Sequence, residues 1–273
     1  MRTRNKKVSI RCGSGLGDAI YLQSVARHYV EHGYDVEVCS AWKDVFIPLN
    51  GKVTVSPFRR TMITRLAHYS SRRGEYGTTQ WQDCCINARI PMETDLRIDW
   101  TPLNVDLISR LQGFGKPIVA VQMPRAPFAR TDGFGVEFLP DCTVMQRAIN
   151  CIGRRALLVQ IGNGEPFHKF TGIDVDLANK TTVSDVLDIG FAAHGFFGYC
   201  SFLVPLAESF SKPLQLIWSK RGLESKHLVV RQMTPQKILH RPSSRAIVDD
   251  CSQTMLSGAI DEFCEQVSRK VSV

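Results

Sequence analysis

The chain has 273 residues, 44% apolar and 22% charged, with a formal net charge of +8. That is room for one large domain or two small ones of ordinary globular composition. No apolar run is long enough to cross a bilayer, and the basic start MRTRNKKVSI leads into a strand-like run rather than a signal-peptide core, so the expected location is cytoplasmic. Nine cysteines, an odd number with no CxxC spacing, argue against a disulfide framework and a zinc site and read as ordinary thiols.

Val8–Cys12 reads as a strand. It runs into CGSGLGDAIY, where Gly13, Gly15 and Gly17 precede the carboxylate of Asp18. Leu22, Val25, Ala26 and Tyr29 then fall on one helical face, Gly33 stops that helix, and YDVEVCS alternates as a second strand. Strand, glycine loop, helix and strand in that order imply parallel pairing. A third strand, KVTVS, leads into FRRTMITRLAHYSSRR, which holds five arginines (Arg59, Arg60, Arg65, Arg72, Arg73) and no acid. TTQWQDCCINARI reads as a helix stopped by Pro91, Leu96–Trp100 as extended chain, and TPLNVDLISRLQGFG as a linker entering a helix.

A second alternating series begins at KPIVAVQM. It gives a strand over Ile118–Gln122, a helix over Asp141–Ile152, a strand over Ala156–Ile161 and the loop GNGEPF. A helix from about Ser184 follows, opened by the capping box TVSD, then a strand near Phe196–Tyr199, a helix near Leu203, the strand LQLIW and a final helix over Ser252–Lys270. The expected fold class is α/β with two doubly wound, Rossmann-like domains, 1–105 and 106–273, facing across a cleft.

The opening loop is not a dinucleotide fingerprint. That pattern needs glycine where Asp18 stands, and a carboxylate at that range repels a pyrophosphate. Two roles fit Asp18: a cap on the helix start, or a general base taking a proton from a substrate hydroxyl that reaches it over the glycine backbone. The bases exceed the acids by 15 to 10 over residues 1–105 and by 19 to 16 over the rest. The excess suits an anionic partner or a solvated face.

On these residues the chain resembles the heptosyltransferase-like glycosyltransferases of the GT-B fold. G-x-G-L-G-D-x-I after a first strand is similar to that family's N-terminal motif, and DLANKTTVSDVLDIGFAAHGFFGYCSFLVPLAESFSKPLQLIW is similar to its C-terminal run. The resemblance implies transfer of a sugar from a nucleotide-sugar to an acceptor hydroxyl, with no cofactor and no metal. Asp18 maps to the proposed catalytic base. Gly15 and Gly17 would let the acceptor approach, and Arg59, Arg60, Arg65, Arg72 and Arg73 would hold an anionic one. For the donor the resemblance implies Arg125 or Arg130 on the diphosphate, the loop of Gly162, Gly164 and Glu165 on the nucleoside, and Thr181, Cys200, Ser201 and Phe202 beside it. Free backbone N–H groups at the helix start behind Ser201 would face the diphosphate. Three positions depart from the family's pattern: Cys200 replaces an acid, Phe202 a glycine and Pro205 a histidine. The implied acceptor is a phosphorylated glycan, with hydroxymethylated bases in DNA as a rival, and peripheral contact with a membrane surface stays open. A GT-B epimerase of nucleotide-sugars and a non-catalytic binding protein on a decayed scaffold are the alternative readings.

Overall fold

The computed structural model describes residues 6–56, 63–68, 79–125, 136–225 and 233–269. The chain divides between Thr101 and Pro102 into two compact units, each carrying a sheet whose described strands are all parallel.

In the first unit β1 (Lys6–Arg11), α1 (Leu16–Glu31), β2 (Tyr34–Cys39) and β3 (Val53–Ser56) follow one another, with a 3-10 helix over Lys43–Leu49 before β3. β4 (Arg65–Leu66) then pairs on the other side of β1, giving the order β3-β2-β1-β4, and α2 (Gln80–Ala88) follows it. The registers Val8↔Val36 and Ile10↔Val38 put apolar side chains in line. Buried Ile20, Leu22, Val25 and Ala26 of α1 supply the apolar surface of the helix.

Leu96, Ile98 and Trp100 alternate and are buried, as strand residues would be, yet the segment joins no sheet. Its peptide groups bond instead to polar side chains of α1. Ser24 Oγ donates to the Arg97 carbonyl at 2.7 Å and Arg27 Nη2 to that of Asp95 at 2.9 Å. Gln23 accepts from the Asp99 N–H at 3.2 Å through Oε1 and donates to its carbonyl at 3.3 Å through Nε2. Alternation reports burial on one side, not the partner of the backbone; here a helix takes the place of a neighbouring strand.

The second unit contains α3 (Val105–Gln112), β5 (Ile118–Gln122), α4 (Cys142–Ile152), β6 (Leu157–Ile161), β7 (Val175–Asp176), α5 (Val183–Ala192), β8 (Gly195–Gly198), α6 (Leu203–Ser209), β9 (Leu214–Trp218), α7 (Lys220–Leu223), α8 (Pro235–Ile238), β10 (Ser244–Val248) and α9 (Gln253–Arg269). A short 3-10 turn lies over Val136–Phe138. The sheet order is β10-β9-β8-β5-β6-β7. β5, β6 and β9 are buried along their whole length, which is why they read as largely apolar runs, each broken only by one glutamine. Val119, Val121, Leu158 and Ile217 form one core with Met145, Ile149 and Ile152 of α4 and Leu256, Ile260, Phe263 and Val267 of α9. The spacing within α9 is the 3.6-residue stripe expected of a helix laid on a sheet.

Two carboxylates of α5 fasten α3. Buried Asp188 accepts the Leu103 N–H at 3.0 Å and the Asn104 N–H at 2.7 Å. Asp185 accepts from Asn104 Nδ2 at 2.8 Å and from Thr182 N and Oγ1 at 2.9 and 2.7 Å. Burial acts to raise the Asp185 carboxyl, but these hydrogen bonds together outweigh it and hold it below its ordinary value. A carboxyl depressed in the folded state adds stability above its unfolded value, about pH 4, and loses it as pH falls through the folded value. Asn104→Ser keeps a side-chain acceptor for the start of α3 but cannot reach Asp185. Thermal unfolding of this variant should show a smaller loss of melting temperature between about pH 5 and pH 3 than the parent. An unchanged acid slope would show that Asn104 does not hold this carboxylate.

Candidate functional site

In a doubly wound sheet, ligands bind beyond the carboxyl ends of the strands where the winding reverses. The first unit reverses between β1 and β4, and the glycine loop leaves β1 at that point. The second reverses between β5 and β8, so residues 123–125 and 199–202 flank its crevice.

α1 starts at Leu16 with Gly15 as its N-cap, ahead of the first residue of its apolar face, Leu22. Gly17 and Asp18 therefore lie in the first turn and not in the loop. Asp18 Oδ2 accepts the Gly15 N–H at 2.9 Å, so the cap role is real. It occupies one oxygen only: on Oδ1 the hydrogen-bond partner is the Cys12 thiol, 3.8 Å away, a weak donor. A Cβ on Gly13 would sit 2.3 Å from Asp18 Oδ2, so a larger residue there must displace the carboxylate. Trp42 Nε1 donates to the Ser14 carbonyl at 2.8 Å and ties the loop to the segment after β2. Burial pushes the neighbouring thiol of Cys84 well up and that of Cys85 up to about 12, so both stay protonated.

Of the arginines read as acceptor ligands, Arg65 lies on β4, half-buried, with Nη1 donating to the Thr64 carbonyl at 2.7 Å. Arg59, Arg60, Arg72 and Arg73 lie outside the described residues, as does Arg130.

In the second unit the loops after β5 and β6 interlock. Arg125 bridges to Pro166, the Phe167 N–H donates to the Pro124 carbonyl at 2.7 Å, and a Cβ on Gly164 would lie 2.6 Å from Arg125 Nε. Gly164 also has φ +106, a conformation that glycine tolerates best. Asn179 closes the loop by pairing with Gly164 twice, accepting its N–H at 2.7 Å and donating to its carbonyl at 3.0 Å. Gly162, Gly164 and Arg125 are thus brought together, with Glu165 exposed beside them. Thr181 stands half-buried just before the capping box of α5.

Across the same crevice the Tyr199 hydroxyl accepts the Arg125 N–H at 3.2 Å, and the Ser201 hydroxyl donates to Gln122 Oε1. The helix start behind Ser201 differs from expectation. Leu203 N–H donates to Ser201 Oγ at 3.1 Å, Val204 N–H to the Ser201 carbonyl at 3.2 Å and Leu206 N–H to that of Phe202 at 3.2 Å, while Pro205 has no N–H. Residues 203–206 therefore offer no free amide to a diphosphate. Phe202 sits at φ −57, where any residue fits, so the glycine of the resembled motif is not needed. Burial pushes the Cys200 thiol up to about 12, making the position neutral where that motif has an acid.

Gln122, Asn179, Tyr199 and Trp42 escape the sequence reading. Only Asn179 carried a signal, since Asn is one of the few side chains that accept its φ of +59. One oxygen of Asp174 accepts the Leu158 N–H at 2.8 Å, and one of Asp176 accepts the Ala178 N–H at 3.0 Å and Gln160 Nε2 at 3.2 Å. His28 and His32 stack at 4.1 Å, and no group of three metal-ligating side chains occurs among the described residues.

No protein-family model matches the sequence, and no curated protein matches it significantly. Solved structures do. The iron-containing dodecameric glycosyltransferase TibC from enterotoxigenic E. coli superposes with a TM-score of 0.62 at 12% identity, over 99% of this chain and 78% of its own. E. coli ADP-heptose LPS heptosyltransferase II gives 0.62 at 12% identity, over 96% of this chain and 99% of its own. A family 9 glycosyl transferase from Veillonella parvula gives 0.58 at 8% identity, over 100% and 97%. At such identities the likeness is one of fold: the α/β architecture is that of the heptosyltransferase-like GT-B proteins, as the glycine-loop motif implied.

Gly13→Ala tests the packing of the loop. It should cost about 1–3 kcal/mol in urea unfolding, because the new methyl overlaps the Asp18 carboxylate. In an Asp18→Gly background the same change should cost much less. Equal costs in both backgrounds would show that the loop, not the carboxylate, excludes the methyl.

Proposed function

We propose that the chain is a glycosyltransferase that moves a sugar from a nucleotide-sugar to a hydroxyl of an anionic acceptor, with Asp18 as general base. The observation that carries the reading is the state of Asp18 on a GT-B scaffold. One carboxylate oxygen is anchored to the Gly15 N–H, while among the described residues the other meets only a weak thiol donor beside glycine backbone. A negative charge near a helix N-terminus is favoured by the helix dipole. Oδ1 would take the acceptor's hydroxyl proton as that oxygen bonds to the sugar's anomeric carbon. The bond from that carbon to the diphosphate breaks, and its electron pair leaves with the nucleoside diphosphate.

The donor would lie at the reversal point of the second unit. Arg125, with Arg130, would neutralise the leaving diphosphate through the forked donors of the guanidinium. The loop of Gly162, Gly164 and Glu165 would meet the nucleoside. Thr181, Cys200, Ser201 and Phe202 would line the remainder. With residues 203–206 already hydrogen-bonded or lacking an N–H, charge neutralisation rests on arginine more than on the helix start. In this scheme the reaction needs no divalent metal. The protonated thiol of Cys200 makes the donor pocket less acidic than the resembled motif, which supports a donor other than the family's ADP-sugar. The neighbours support the donor class: E. coli heptosyltransferase WaaC is described with ADP, and TibC with ADP-D-beta-D-heptose.

Asp18→Asn should lower transfer by about 100- to 10,000-fold while leaving nucleotide-sugar affinity, read by thermal shift, nearly unchanged. Transfer within a few-fold of the parent would reduce Asp18 to a helix cap.

The acceptor is assigned to Gly15 and Gly17 of the loop and to Arg59, Arg60, Arg65, Arg72 and Arg73. A phosphorylated glycan fits these charges. Acceptor affinity should then fall steeply with salt, and donor affinity much less. Duplex DNA carrying hydroxymethylated bases, run beside the glycan, should show a log–log slope of about −0.9 per phosphate neutralised if it is the acceptor instead. Salt-independent affinity for both would remove the polyanion from the reading.

A further inference from the structure

One peptide group of the glycine loop is held by side chains at both of its polar atoms. The carbonyl of Ser14 accepts from Trp42 Nε1 at 2.8 Å, and the N–H of the same peptide, that of Gly15, donates to Asp18 Oδ2 at 2.9 Å. Ser14 and Gly15 are both exposed, and this peptide lies outside β1 and before the first turn of α1. No backbone bond of the sheet ladder or of the helix therefore sets its orientation. Trp42 can do so because its own position is fixed: its N–H donates to Ser40 Oγ at 3.1 Å, and it caps the 3-10 helix whose Val45 and Phe46 are buried.

The peptide plane is rigid, with C=O and N–H pointing in opposite directions. Fixing the carbonyl therefore fixes where the N–H points. Hydrogen bonds in such a chain also strengthen one another, since a carbonyl that accepts makes its own N–H a better donor. On this geometry we infer that Trp42 is a positioning residue for Asp18. Acting through the Ser14–Gly15 peptide, it commits Oδ2 to Gly15 and leaves Oδ1 as the proton-accepting atom. The inference rests on the reading of Asp18 as base, and it concerns the indole N–H, not the face of the ring.

Trp42→Phe removes that donor and keeps an aromatic ring. In the full chain, with nucleotide-sugar and acceptor, kcat should fall by about tenfold, less than the roughly 100-fold attached to a 1 Å misplacement. Both KM values should stay within about twofold, as for loss of an interaction that matters only in the transition state. Against Asp18→Asn, assayed for its residual transfer, Trp42→Phe should have no further effect, because the two act as one unit. An unchanged kcat, or the same loss in both backgrounds, overturns the inference. A raised acceptor KM at constant kcat also overturns it, pointing to a packing surface for the acceptor.

A second measurement needs no acceptor. In protein labelled with 15N-glycine, Trp42→Phe should move the Gly15 amide resonance upfield and quicken its exchange with solvent. The buried Gly195 and Gly198 amides should stay unchanged. An unmoved Gly15 amide would show that the indole does not orient this peptide, whatever the assay says. A moved amide with full transfer activity in Asp18→Asn would keep the geometry and sink the base assignment alone.

Discussion

A peptide group taken out of water must find a hydrogen-bond partner, and the penalty for leaving it unpaired is comparable to the contribution of a whole side chain. Within strands and helices the partner is another peptide. Where those elements stop, this chain repeatedly supplies a carboxylate, amide or indole. Asp188 takes the amides of Leu103 and Asn104. Asp249 takes those of Asp141 and Lys220, joining the starts of α4 and α7, and buried Glu208 takes those of His240 and Arg241. Gln23, Ser24 and Arg27 serve the strand-like segment 95–99 in the same way. Each bond fixes a loop by a single contact between residues distant in sequence.

The proposed site is built from the same device. Asp18, Trp42 and the Ser14–Gly15 peptide form one hydrogen-bonded chain at the reversal point of the first sheet. In the second unit Asn179 is hydrogen-bonded to Gly164 and Tyr199 to Arg125, and Gly164 lies against the Arg125 side chain. Capping and catalysis are not rival roles for Asp18, because a carboxylate has two oxygens. The one that caps gives the other a fixed place. Glycine at position 13 suits that arrangement, since a Cβ there would displace Oδ2.

The departures from the resembled motif have separate physical accounts. Phe202 is tolerated because its backbone is in the right-handed region. Pro205 has no amide, and those of its neighbours Leu203, Val204 and Leu206 are already used. Cys200 is the change with chemical consequence, for a thiol held protonated by burial cannot act as the acid it replaces. In the proposed donor site they would leave a diphosphate to arginine side chains more than to backbone amides.

Much of the fold is written in local patterns. The apolar runs of β5, β6 and β9, the capping box at Thr182 and the stripe of α9 are properties of neighbouring residues, and physical chemistry reads them without knowledge of the rest. The motif around Asp18 is equally local. By itself the sequence determined two parallel α/β series, their order and the identity of the glycine-loop carboxylate. Tertiary structure decided what depends on residues far apart in the chain. The alternating segment 96–100 is served by helix side chains instead of a strand, β10 completes the edge of the second sheet, the amides of Leu203, Val204 and Leu206 are already occupied, and an indole 28 positions from Ser14 orients the peptide that holds Asp18. Periodicity records which side of an element is buried. It carries no information on which distant donor will meet a given carbonyl, because that is settled only when packing brings the two within hydrogen-bond reach.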